Sequence, residues 1–127
     1  MITYKGHRYR EAAAPKYSSD QLFFAASKHL PKGWCYDHVG FVDKQTGQLV
    51  QMSGHRHSEG VFPLARLSDD PTLETDDYDT IKLPHTVDVP TDTLGAENCV
   101  TFVVAVLEAN GIHDWDREDF HDVFKCG

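Results

Sequence analysis

The 127-residue chain has the length of one domain, and its 40% hydrophobic and 25% charged residues match ordinary globular usage. Intrinsic disorder is therefore excluded as the main description, and no apolar run approaches the roughly 18 residues that span a membrane. The net charge of −8 argues against nucleic acid and anionic lipid as partners, because both bind basic surfaces. Without a signal-like apolar segment near Met1, we expect a cytoplasmic location and no membrane association.

The first quarter of the chain predicts two short extended segments followed by a helix. A turn at Lys5–Gly6 separates the extended segments. Ser18 and Gln21 then have the spacing of a helix capping box, and Pro31 is a stop signal. The apolar residues on one face of this predicted helix are Leu22, Phe23, Ala26 and Leu30.

A β-hairpin is predicted next. Trp34–Val42 is rich in aromatic and β-branched residues, which is typical of a strand. Asp43–Gly47 supplies a polar turn, and Gln48–Ser53 is the returning strand. The glycine-flanked segment Gly54–Gly60 is then expected to form a loop.

The middle of the chain predicts weaker strands around an acidic segment. Val61–Leu67 is expected at a sheet edge, because Pro63 cannot donate to a ladder. Tyr78–Val89 predicts one or two strands, with an interruption at Pro84. Residues 1–67 hold nine Lys or Arg and five Asp or Glu, whereas residues 68–127 hold three and fifteen. Asp69–Asp79 should therefore be a surface segment, because burying unpaired charge is costly.

The C-terminal third predicts two helices. Asn98–Asn110 has the strongest helical periodicity, and Gly111 is placed to end it. Its apolar stripe consists of Cys99, Phe102, Val103, Val106 and Leu107. Asp114–Phe124 predicts a short amphipathic helix. The predicted fold is a single α+β domain over residues 1–127, with an antiparallel sheet of about five strands packed on the helix that starts at Cys99.

Three cysteines without a CxxC pair favour neither a disulfide framework nor a zinc finger. Cys35 is expected in the core, and Cys126 is expected to have no role near the terminus. Cys99 differs because it begins a helix, with Asn98 as the expected N-cap. The helix dipole and unpaired backbone N–H groups favour a thiolate there, and the same N–H groups could hold an oxyanion.

A nucleophilic cysteine needs a base, and His38 is the candidate. It lies in the first strand of the predicted hairpin, and Gly40, two residues later on the same face, leaves space beside it. A histidine so placed would face a groove and could move the proton of an attacking thiol.

Several residues could orient this base. Pairing of the residues that flank the polar turn places Ser53 opposite His38. Gln51 and His55 share its face, because side chains alternate along a strand. A register slip of one residue would put Met52 there instead. The predicted third catalytic residue is therefore Ser53 or Gln51.

Two short motifs resemble those of the circularly permuted branch of the NlpC-type papain-like superfamily. They are DHVGFV at Asp37–Val42 and NCVTFV at Asn98–Val103, with Gly60–Val61 between them. Similar "HxGxY" and "NCxHFV" stretches occur in lecithin retinol acyltransferase-like proteins, and "NCNHF" in permuted isopeptidases. The resemblance covers about residues 34–112 and implies a permuted papain-like fold.

The resemblance implies that His38 is the general base and Cys99 the nucleophile of a thiol hydrolase. The motif often has a second histidine where this chain has Thr101, and no histidine lies opposite His38 in the expected register. The implied substrates are peptide or peptidoglycan-type amides, and a virion-associated amidase is consistent with the small size. No cofactor is expected.

Two other functions compete with the hydrolase. A papain-like module with the same groove could bind or scaffold without catalysing. His55 and His57 form an HxH that could hold a metal with His38. We expect instead that no metal binds and that His55, His57 and Asn98 line the substrate side of the site.

Overall fold

A computed structural model describes residues 2–4, 7–9, 16–55, 58–64 and 78–126, and for residues 2–4, 7–9, 54–55 and 58–59 it describes the backbone alone. The strands within these ranges are β1 (Ile2–Tyr4), β2 (His7–Tyr9), β3 (Lys16–Ala25), β4 (His38–Asp43), β5 (Leu49–His55), β6 (Ser58–Leu64) and β7 (Asp79–Pro90). The helices are α1 (Cys99–Ala109) and α2 (Arg117–Phe124). The architecture is α+β, as the sequence predicts.

The strands form a two-stranded β1–β2 sheet and a five-stranded antiparallel sheet in the order β6-β5-β4-β3-β7. The expected hairpin is β4–β5, with Phe41 opposite Val50 and Val42 opposite Leu49, which is the predicted register. Pro63 lies in the edge strand β6, as expected. None of the helices in the described ranges is long and apolar enough to cross a membrane.

The helix predicted after Ser18 is wrong, because this segment is the central strand β3. Leu22 packs into the cluster beneath α1, whereas Phe23 packs into a separate cluster on the other face. A strand buried on both faces is continuously apolar and so can imitate a helical pattern. Ser18 caps no helix, because it lies within β3. The Oγ of the next residue, Ser19, donates to the carbonyl of Gln21 at 2.8 Å, where the β3 ladder shifts register.

One further boundary differs from expectation, and one open alternative is decided. The predicted loop at Gly54–Gly60 contains the ends of β5 and β6, which pair from Leu49–Leu64 to His55–Ser58. Of the one or two strands predicted over Tyr78–Val89, the structure has one, β7, which continues through Pro84. Of the acidic segment Asp69–Asp79, residues 69–77 lie outside the described part of the chain, and Asp79 is exposed.

The main core lies between the sheet and the two helices. Phe41 of β4 meets Phe102 of α1 edge-on, with ring centroids 6.2 Å apart. Phe24 of β3 contacts Phe120 and Phe124 of α2. The opposite face holds a smaller cluster of Phe23, Ala25 and Leu49, with Val42 and Leu64 packed against it. The fold therefore packs α1 against β4, the strand that begins at the predicted base His38.

Cys35 and Cys126 form a disulfide, which corrects the expectation that Cys126 has no role. Neither cysteine lies in the core, because both are exposed. Backbone bonds join the same two segments: the Cys35 N–H donates to Phe124 at 2.7 Å, and the Cys126 N–H donates to Gly33 at 3.1 Å. The C-terminus is thus fastened to the segment that leads into β4.

Candidate functional site

The predicted nucleophile is the first residue of α1, and Asn98 is its N-cap as expected. The Asn98 side chain accepts a hydrogen bond from the Thr101 N–H at 2.9 Å. The Thr101 hydroxyl accepts from the Asn98 N–H at 3.0 Å and so completes a capping box. Thr101 therefore holds the start of the helix, and the side-chain oxygen of Asn98 is engaged in the cap.

Cys99 is the free cysteine of the described chain, and its thiol lies against β4. Burial raises the pKa of the Cys99 thiol, because a thiolate loses solvation there. Hydrogen bonds from the backbone N–H groups of Val39 and Val100 act in the opposite direction, and the nearby carboxylate of Asp37 raises the pKa further. The N–H groups at the helix start act as predicted, but desolvation outweighs them, so the resting group is a thiol.

His38 is the first residue of β4 and is half-buried. Its ring packs beside Phe23 with centroids 5.7 Å apart. Strand alternation places its side chain with Gly40 on the Phe23 side of the sheet, whereas Val39 faces α1. The structure thus brings Cys99 to the backbone of Val39, the residue after His38, while the imidazole approaches this end of β4 from the Phe23 side.

Gln51 and Ser53, the candidates for the third catalytic residue, are buried polar residues of β5. The observed hairpin register, continued toward the end of β4, places Ser53 opposite His38 and Gln51 opposite Gly40. Alternation from Leu49 puts both side chains on the Phe23 face. The structure therefore groups these two residues with His38 along one face.

The proposed HxH cannot be placed in the same way. His55 ends β5, but its side chain and the whole of His57 lie outside the described residues. Within the described ranges, no group of three or more His, Cys, Asp or Glu could hold a metal ion.

Asp37 is a feature that the sequence analysis missed. It accepts hydrogen bonds from Ser27, from the N–H at 2.7 Å and from the hydroxyl in a short contact. Its own N–H donates to the Ala25 carbonyl at 3.0 Å. These bonds hold the residue before His38 against the end of β3. The signal was its place in the DHVGFV motif, but the motif alone does not reveal the Ser27 partner.

Comparison of the chain with protein-family models, with curated protein sequences and with solved structures finds no match in any of the three.

Proposed function

We propose that the chain is a thiol hydrolase that cleaves a peptide or peptidoglycan-type amide, with Cys99 as nucleophile and His38 as base. The observation that carries the proposal is the position of Cys99, a free thiol at a helix start, against the backbone of Val39, the residue that follows His38 in the chain. The order of strand histidine and then helix cysteine is that of the permuted papain-like proteins that the motifs resemble, and we infer the same arrangement for residues 1–127.

The raised pKa of Cys99 determines how the reaction begins. At neutral pH the group is a protonated thiol, so its proton must pass to the imidazole of His38 as sulfur attacks the carbonyl carbon. Backbone N–H groups at the start of α1 would hold the oxyanion. The imidazolium then protonates the leaving amine, and water hydrolyses the thioester and restores the thiol.

This mechanism requires the imidazole and the thiol to meet at the end of β4. His38 is the first residue of β4, and its ring packs beside Phe23. Ser53, opposite it in the continued register, is placed to orient the ring, with Gln51 as the alternative. An orienting group tunes the base without replacing it.

The disulfide bears on where the reaction would take place. Cys35–Cys126 is a bond of the kind that persists in oxidising compartments and is rare in the cytosol. It therefore favours a cell exterior, periplasm or virion surface over the cytoplasmic location expected from the sequence. Peptidoglycan-type amides are accessible from such places.

The test combines turnover with thiol labelling. Cys99→Ala should abolish release of amine from peptidoglycan fragments and peptide amides, and His38→Ala should reduce it by at least a hundredfold. Ser53→Ala should cost less. The rate of iodoacetamide labelling of Cys99 should rise only at pH values above the ordinary thiol pKa, since burial raises the pKa of this thiol. Circular dichroism of each variant controls for folding, and turnover that survives in Cys99→Ala would refute the proposal.

A catalytically inactive binding module is the second candidate, and a specific observation favours it. Desolvation disfavours the thiolate of Cys99, as expected for a cysteine that only packs. This function predicts peptide binding with no amine release from any substrate, and identical labelling profiles with and without His38.

A further inference from the structure

A cavity of about 210 Å³ lies at the end of β3, beside the segment that leads into β4. Ala25 and Ala26 contribute an apolar wall, and Tyr36 and Tyr78 contribute aromatic rings. Asp79 is the carboxylate among the lining residues. The volume suits one amino-acid side chain rather than a cofactor.

Asp79 carries a negative charge that no described cation neutralises. The ion pair found in the described ranges joins Lys82 to Asp20, at 3.9 Å, and Asp79 takes no part in it. Asp79 instead accepts a hydrogen bond from the hydroxyl of Tyr36. This bond fixes the carboxylate at the cavity without cancelling its charge, because the phenol is neutral.

The remaining walls complement a cation on an alkyl chain. Aromatic rings attract ammonium groups at their faces, and Tyr78 is 41% exposed at the cavity. The methylenes of such a chain would pack on Ala25 and Ala26. We propose that this cavity is a subsite for a primary ammonium on an alkyl chain, such as a lysine-like side chain of a peptide.

The cavity is connected to His38 through two ring contacts. Phe23 links the two sites, because its ring lies 6.0 Å from that of Tyr78 and 5.7 Å from that of His38. Tyr36 precedes His38 by two residues, a reach of about 7 Å in an extended chain. The inference rests on the proposed function in one respect: it assigns the subsite to the peptide whose amide Cys99 would attack.

Binding of two matched probes tests the subsite without catalysis. N-acetyl-lysine amide and N-acetyl-norleucine amide differ only by the ammonium, and both would be titrated by NMR into the full chain carrying Cys99→Ala. We expect the lysine probe to bind about three- to tenfold more tightly, from one exposed ion pair and one cation–π contact. Raising the salt to 0.5 M should shrink this preference.

Asp79→Asn keeps the acceptor for Tyr36 but removes the charge, so it should abolish the preference. Asp88→Asn is the matched control, because Asp88 is exposed on the same strand β7 and does not line the cavity. Equal binding of the two probes, or a lysine preference that survives in Asp79→Asn, would overturn the subsite.

The outcomes separate the subsite from the hydrolase. A lysine preference that depends on Asp79, in a protein that releases no amine, would support the subsite and refute the enzyme. Amine release that depends on Cys99, with no preference between the probes, would do the reverse.

Discussion

The two faces of the five-stranded sheet are filled in different ways. Beneath α1, Phe41 and Phe102 belong to a large apolar cluster that joins the sheet to both helices. The opposite face has a small cluster around Phe23, and two buried polar residues, Gln51 and Ser53, share that face. The first face supplies most of the apolar core. The second face gathers buried polar groups, which packing alone would not select. The proposed chemistry lies where the two faces meet, at the end of β4.

The largest expected effect comes from emptying the helix-bearing face. Phe102→Ala should lower the free energy of unfolding by about 3–5 kcal/mol, because it removes a fully buried ring from the main cluster. Phe62→Ala is the control on the edge strand, where the ring is 38% exposed, and should cost far less. Urea denaturation measures both. Equal losses would mean that the large cluster does not dominate stability.

A smaller loss is expected from crowding the other face. A Cβ at Gly40 would lie 2.5 Å from both a ring carbon of Phe23 and the backbone oxygen of Val50. Gly40→Ala should therefore cost about 1–3 kcal/mol of unfolding free energy. Adding Phe23→Leu should recover only part of it, since the Val50 carbonyl stays in place. Full recovery would show that the ring alone causes the strain.

The smallest effect concerns pH at the border between the faces. Because burial raises the Cys99 pKa, the folded chain keeps this proton at pH values where the unfolded chain has lost it. The free energy of unfolding should therefore fall as pH rises above the ordinary thiol pKa, about 8.5. Cys99→Ser removes this titration and should flatten that part of the curve. If the unfolding free energy of the Cys99→Ser variant has the same slope between pH 8 and 10 as that of the unsubstituted chain, the buried thiol is contradicted.

The parts of the fold that local signals specify were predictable. The β4–β5 register follows from a polar turn between two β-branched strands, and the start of α1 follows from Asn98 before an apolar stripe. These two features carry His38, Ser53 and Cys99, so most of the candidate site could be found from the sequence.

The rest depends on contacts between residues far apart in the chain. Nothing local to β3 reveals that both its faces are covered, so the apolar run after Ser18 looked like a helix. The Cys35–Cys126 pairing spans 91 residues and leaves no spacing motif. Likewise, no local signal shows that desolvation by packed neighbours outweighs the helix-start N–H groups at Cys99.

The disulfide closes most of the domain into a covalent ring and leaves the central strand β3 outside it. Residues 35–126 form a covalent ring that contains β4, β5, β6, β7 and both helices. β3 lies outside the ring in sequence, yet it occupies the slot between β4 and β7. If the chain were cut between Ala25 and Trp34, residues 35–126 would remain one covalent piece, and β3 would become a separate segment in its place between β4 and β7. Only hydrogen bonds and packing would then hold β3 in the sheet. A separate peptide of the same sequence could therefore take its place.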